Sequence, residues 1–82
     1  MHIVEHHDYL AGYRDSVLEA VEEPEAIARG KAGELLAMKP VGQRMLIVVY
    51  REVSRTDGFV VTAFFTTQPE RIRKRGLVWP KR

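Results

Sequence analysis

The chain contains no cysteine. Disulfides, thiolate nucleophiles and cysteine-ligated zinc are therefore excluded. No apolar run reaches the length of about 18 residues that a membrane-crossing helix needs. The opening Met1-His2-Ile3-Val4-Glu5 lacks the basic-then-apolar order of a secretion signal. A cytoplasmic protein with no membrane contact is the expectation. There is no glycine-rich phosphate loop, and no two carboxylates pair on one strand. Neither a nucleoside-triphosphate enzyme nor a glycosidase is indicated. Imidazoles are confined to His2, His6 and His7. With 82 residues the chain is a single domain spanning positions 1–82. It is too short for two cores, a full dinucleotide-binding fold or a β/α barrel.

What is present is an uneven distribution of charge. Residues 1–30 hold seven acids and two bases, and residues 31–82 hold eleven bases and four acids. The net charge of +2 thus conceals an acidic front of −5 and a basic back of +7. Arg71, Arg73, Lys74 and Arg75 form the densest basic cluster, joined by Lys81 and Arg82. Such a cluster attracts polyanions and makes RNA a candidate partner. The plainer reading is a solvated face that keeps a small protein soluble.

Periodicity divides the chain into helices and then strands. Leu10, Tyr13, Val17 and Val21 recur at three- and four-residue spacing after Asp8, a residue suited to an N-cap. A helix over residues 9–22 is predicted. A second short helix is predicted over 24–29, opened by Pro24 and closed by Gly30. Residues 34–39 read as a weak strand. Residues 45–53, with Met-Leu-Ile-Val-Val-Tyr at their heart, read as a central strand covered on both faces. Asp57-Gly58 is a hairpin signal leading to a partner strand over 59–66. A short helix within 69–75 and an edge strand at 77–79 complete the pattern. The expected class is α+β: two N-terminal helices followed by a three- to four-stranded antiparallel meander sheet. Strict alternation would place Phe59, Val61, Ala63 and Phe65 against the helices. It would place Val60, Thr62, Phe64 and Thr66 on a wetter face. Trp79 is expected in the core, because a small domain needs its large side chains.

Few residues stand out chemically. His2 and His6 lie four apart, which on a helix would turn both to one side and could engage a metal, but no third ligand follows at a suitable spacing. His6 has the pKa range for proton transfer near neutrality. Arg51, at the end of the central strand, can grip a phosphate with its planar fork or pair with an acid of the first helix. Thr62 and Thr66 share a strand face, where threonine is also simply a good strand former.

Three stretches taken in order carry a family resemblance. His2-Ile3-Val4-Glu5-His6-His7-Asp8-Tyr9-Leu10 resembles an HI-x-x-x-H-P-E-L opening. Asp57-Gly58-Phe59-Val60-Val61-Thr62-Ala63-Phe64-Phe65-Thr66 resembles a D-G-F-x-x-T-A-Y-x-T strand, and Lys74-Arg75-Gly76-Leu77-Val78-Trp79 a K-x-G-x-x-x-W close. His7 stands where the pattern has proline, and Asp8 where it has glutamate. Together the stretches resemble the small phage- and mobile-element-associated domains of the barnase, EndoU, colicin and RelE-like nuclease superfamily. The resemblance implies cleavage of RNA without metal or other cofactor, as in a toxin, with His2, His6, Arg51, Thr62 and Thr66 as catalytic candidates. His6 would be the acid or base, Arg51 the phosphate clamp and the two threonines hydrogen-bond donors. Arg71, Arg73, Lys74 and Arg75 would hold the RNA backbone. It also makes an antitoxin or other protein partner an expectation. The alternative is a non-catalytic RNA- or protein-binding module of the same fold.

Overall fold

A computed structural model of the protein describes the backbone of residues 2–4 and all of residues 12–80. The elements run β1 (His2–Val4), α1 (Arg14–Glu22), β2 (Ala26–Arg29), β3 (Leu35–Val41), β4 (Arg44–Glu52), β5 (Asp57–Thr66), α2 (Glu70–Arg73) and β6 (Leu77–Trp79). Six strands form one sheet in the order β1-β5-β4-β3-β2-β6. β2 to β5 are an antiparallel meander, and β6 adds antiparallel beside β2. β1 lies parallel to β5 at the far edge. Among the described residues no helix is long and apolar enough to cross a membrane.

The α+β class is observed, but two N-terminal helices are not. The segment expected as a second helix contains β2, where Ala26, Ala28 and their neighbours pair with Leu35 to Met38 of β3. Pairing with β3 overrides the helix-start signals of Pro24 and Glu25. Paired, its two alanines are buried on one face, at 1% and 0% exposure, in one cluster with Met38 and Ile72. Gly30 accordingly sits in the β2–β3 turn rather than ending a helix. The first helix begins at Arg14 rather than at residue 9: Gly12 has φ +87°, outside the helical region, and Tyr13 is the N-cap, with no side-chain cap. The expected cap, Asp8, lies outside the described residues. A strand at His2–Val4 was not expected, and the sheet has six strands rather than three or four.

Two further differences have local causes. Asp57 and Gly58 begin β5 instead of forming the turn. The turn closes earlier because the Ser54 Oγ accepts from the Thr56 and Asp57 amides at 3.3 and 3.1 Å, while the Val53 and Ser54 amides donate to the Asp57 carbonyl. The register of β4 against β5 then slips: Val49 opposes Thr62, but Tyr50 opposes Val60. This bulge leaves Val61 without a partner and turns Val60 inward. Val60 is 2% exposed and Val61 38% exposed, the reverse of strict alternation.

The sheet is covered on both sides, as the apolar run in β4 implies: Leu46, Ile47 and Val48 are fully buried. On one face α1 sets Val17, Ala20 and Val21 against Ala37, Leu46, Val48 and Tyr50. On the other, α2 sets Ile72 against Ala28, Leu36, Met38 and Ile47. Because α2 has only four residues, it packs on β2 to β4, and among the described residues no helix covers β5 on that side.

Candidate functional site

The open part of the α2 face is the β5 side together with the Arg51 end of β4, since Ile47 in the middle of β4 is buried against Ile72 of α2. Met45, Ile47, Val49 and Arg51 alternate along β4, and Thr62, Phe64 and Thr66 along β5. Phe64 lies opposite Ile47 and is 38% exposed, the most open aromatic of this face. Thr62 lies opposite Val49, and both are half-buried. Arg51 is therefore the diagonal neighbour of Thr62, about 7–8 Å away across the strands. Thr66 is opposite Met45, six residues along β4 from Arg51, which places it about 20 Å from that residue. Its Oγ1 accepts a hydrogen bond from the Gln68 amide at 3.0 Å and helps end β5. The structure thus sets Thr62 beside Arg51, places Phe64 opposite Ile47 and so about 13 Å along the strands from Arg51, and sets Thr66 at the opposite end of the face.

Arg51 is held from one side. Its Nη2 lies 3.6 Å from Glu34 Oε2, an acid of the β2–β3 turn rather than of the first helix. The Ala32 amide donates to Glu34 Oε1 at 3.0 Å. That bond and, next among the favourable influences, the Arg51 charge hold the Glu34 carboxyl below the usual carboxylate range. The Glu34 side chain lies directly over Gly30, where any Cβ would collide with it. Arg51 remains 41% exposed, and with five N–H donors a guanidinium holding one carboxylate oxygen still has others to offer.

His2 lies on β1 beside Asp57, with Val4 beside Phe59, the residue that faces Arg51 across β4 and β5. Its backbone is therefore about 12 Å from that of Arg51, at the same end of the sheet. Being on a strand, His2 has no helical four-residue relation to His6, and the metal-binding reading of that spacing loses its geometric basis. His6 lies outside the described residues.

The basic cluster flanks the same face. Arg73 is tied to Glu25, Nη2 to Oε1 at 2.7 Å. Arg71, Lys74 and Arg75 are exposed and in no salt bridge among the described residues. Three of the four expected phosphate-binding cations are thus at liberty.

The opposite face, under α1, holds a groove with a cavity volume of about 770 Å³. Val21, Pro24, Ile27 and Leu35 contribute apolar surface, with Tyr50 and Trp79 as the aromatic lining. Glu22, Glu23 and Glu52 supply three carboxylates. Trp79 is not in the core: it is 47% exposed on the edge strand, opposite Ile27. Burial and the neighbouring Glu52 charge push the Tyr50 hydroxyl up to about 12, so it stays protonated.

Sequence reasoning missed Phe64, Glu34 and this groove. The first was visible in part, since the alternating set Thr62-Phe64-Thr66 already pointed to a wetter face. Glu34 and the groove depend on contacts between distant segments and leave no local signal. Comparison of the chain with models of protein families, with curated proteins and with solved structures gives no match.

Proposed function

We propose that the chain is a small RNA-directed domain of nuclease-like type, with the open face of β4 and β5 as its RNA surface. The observation that carries this reading is one sheet face that bears Arg51, its neighbour Thr62 and, about 13 Å along the strands, the exposed Phe64, with Arg71, Lys74 and Arg75 nearby in no salt bridge among the described residues. Each has a use in binding RNA. An exposed aromatic ring stacks an unpaired base. A guanidinium grips a phosphate through paired N–H donors. Exposed cations around the face hold neighbouring phosphates.

Cleavage without metal proceeds by attack of a ribose 2′-oxygen on the adjacent phosphorus, with departure of the 5′-oxygen of the next nucleotide. A base must take the 2′-proton, an acid must protonate the leaving oxygen, and donors must stabilise the crowded phosphorane. Arg51 and Thr62 serve as the donors in this proposal. His6, with His2 at the edge of the same end of the sheet, supplies proton transfer. Thr66 is too far from Arg51 to meet the same phosphate and contacts RNA one or more nucleotides away. The sequence resemblance to the barnase, EndoU, colicin and RelE-like superfamily supports the same reading. A toxin-like role in the cytoplasm, restrained by an antitoxin or other protein, belongs to this proposal.

The test is purified protein with mixed-sequence single-stranded RNA in EDTA. The expected outcome is cleavage of RNA and not of DNA, which lacks the 2′-hydroxyl. Arg51→Lys and His6→Ala should each lose about a hundredfold in rate. Cleavage undiminished in His6→Ala would remove that residue from the mechanism. RNA binding without cleavage would leave the non-catalytic module as the correct function.

A further inference from the structure

The groove beneath α1 uses none of the residues of the proposed RNA face, and its chemistry is opposite in sign. Glu22 and Glu23 sit at the C-terminal end of α1, where the helix dipole is already negative and no basic residue occupies the last turn. Lys39 approaches, but its Nζ pairs with Glu19 and donates to the Glu23 carbonyl. None of Glu22, Glu23 and Glu52 takes part in a salt bridge among the described residues. Glu22 and Glu23 at the helix end and Glu52 at the end of β4 thus line one groove without a salt-bridge partner among the described residues, an arrangement that disfavours a phosphate and favours a cation.

A second, independent feature is Tyr50. The residue is 2% exposed, yet it lines the groove, and its hydroxyl makes no hydrogen bond among the described residues. Since no buried side-chain oxygen among the described residues lacks a partner, this hydroxyl opens to the groove and can donate to a group bound there. The third is Trp79, whose half-exposed ring can carry a cation on its face. Ile27, Leu35 and Val21 supply apolar surface between these polar points.

We propose that the groove binds a short extended peptide of a partner protein, one carrying lysine or arginine next to an aliphatic side chain. The cation lies against Trp79 among Glu22, Glu23 and Glu52. The aliphatic group enters between Ile27 and Leu35, and a peptide carbonyl accepts from the Tyr50 hydroxyl. The cavity volume of about 770 Å³ exceeds the needs of a single side chain. Among the described residues β6 pairs on one side only, to β2, so a strand-like peptide meets an open sheet edge beside Trp79.

Trp79 is the only tryptophan of the chain and reports directly on the groove. The probe is an acetylated and amidated hexapeptide, Val-Arg-Leu-Lys-Val-Arg, compared with its Val-Gln-Leu-Gln-Val-Gln counterpart. Titration of the whole chain should give a saturable change in Trp79 fluorescence with the basic peptide, and binding about tenfold weaker or more with the neutral one. The Glu22→Gln/Glu52→Gln double variant should lose about tenfold in affinity for the basic peptide and most of its salt dependence. Both acids are exposed, so the variant keeps its fold. Tyr50→Phe should weaken binding about threefold or more while leaving the salt dependence unchanged. Equal binding of the two peptides, binding by neither, or unchanged affinity in the double variant would overturn the proposal. N-acetylarginine amide that binds as tightly as the hexapeptide would overturn the peptide assignment in favour of a small cation.

Discussion

Gly30 lacks a Cβ at the one place where a Cβ would strike the Glu34 side chain, and Glu34 in turn reaches Arg51. A turn glycine thus sets the posture of a candidate phosphate ligand two strands away. The Glu34 carboxyl is held below its ordinary 4.5, first by the Ala32 amide and also by Arg51. The lowered folded pKa means that the unfolded chain takes up the proton first as pH falls. The stabilising contribution of Glu34 is therefore complete above the ordinary carboxylate range and is lost as pH drops through it toward the lowered value. Glu34→Gln keeps an oxygen for the Ala32 amide but removes the charge. The variant should melt below the wild type at neutral pH, and the gap should close on acidification below pH 4.5. Thermal melts at matched pH decide it; a gap that is constant with pH would mean that the carboxylate charge contributes nothing.

At the level of elements, what was legible in the chain is what local physics decides. The β-branched run of β4, the amphipathic spacing of α1, the short α2 and the edge strand β6 were all readable. β2 was not, because Pro24-Glu25-Ala26-Ile27 satisfies the rules of a helix start, and only pairing with Leu35 to Met38 overrides them. β1 depends wholly on its partner: three residues make a strand only beside β5. The candidate site followed the same division. The shared face of Thr62 and Phe64 was legible from alternation, whereas the separation of Thr66 from Arg51 required the register. The bulge is the sharpest case, since it exchanges the roles of two adjacent valines. Val60→Ala should leave a cavity under α1 and cost about 2 kcal/mol. Val61→Ala should fall within about 0.5 kcal/mol of wild type, as for other surface positions. Equilibrium urea unfolding measures both, and equal losses at the two positions would rule out the slipped register.

At the scale of the whole molecule, one acidic cluster and one basic cluster come to opposite sides of the sheet. α1 brings Glu22 and Glu23 to one side, and α2 brings Arg71, Lys74 and Arg75 to the other. The molecule measures 28 × 28 × 20 Å. Charges on its opposite faces are separated by more than the screening length of about 8 Å at physiological ionic strength. The two faces therefore act as independent electrostatic surfaces, despite a net charge of only +2. This independence has a measurable form in RNA binding. Each cation that neutralises a phosphate of single-stranded RNA adds about 0.7 to the log–log salt slope. Replacing Arg71, Lys74 and Arg75 together by glutamine should lower the slope by about 2. Arg73→Gln should change it less, because Arg73 already neutralises Glu25 in the free protein. Glu22→Gln/Glu52→Gln, on the far face, should leave it where it was. Fluorescence anisotropy of a labelled single strand between about 50 and about 200 mM salt resolves these differences. An unchanged slope in the triple variant would make the basic cluster a solvated surface. A slope that moved with Glu22 and Glu52 would place the RNA on the wrong side of the sheet for Arg51 and Phe64 to touch it.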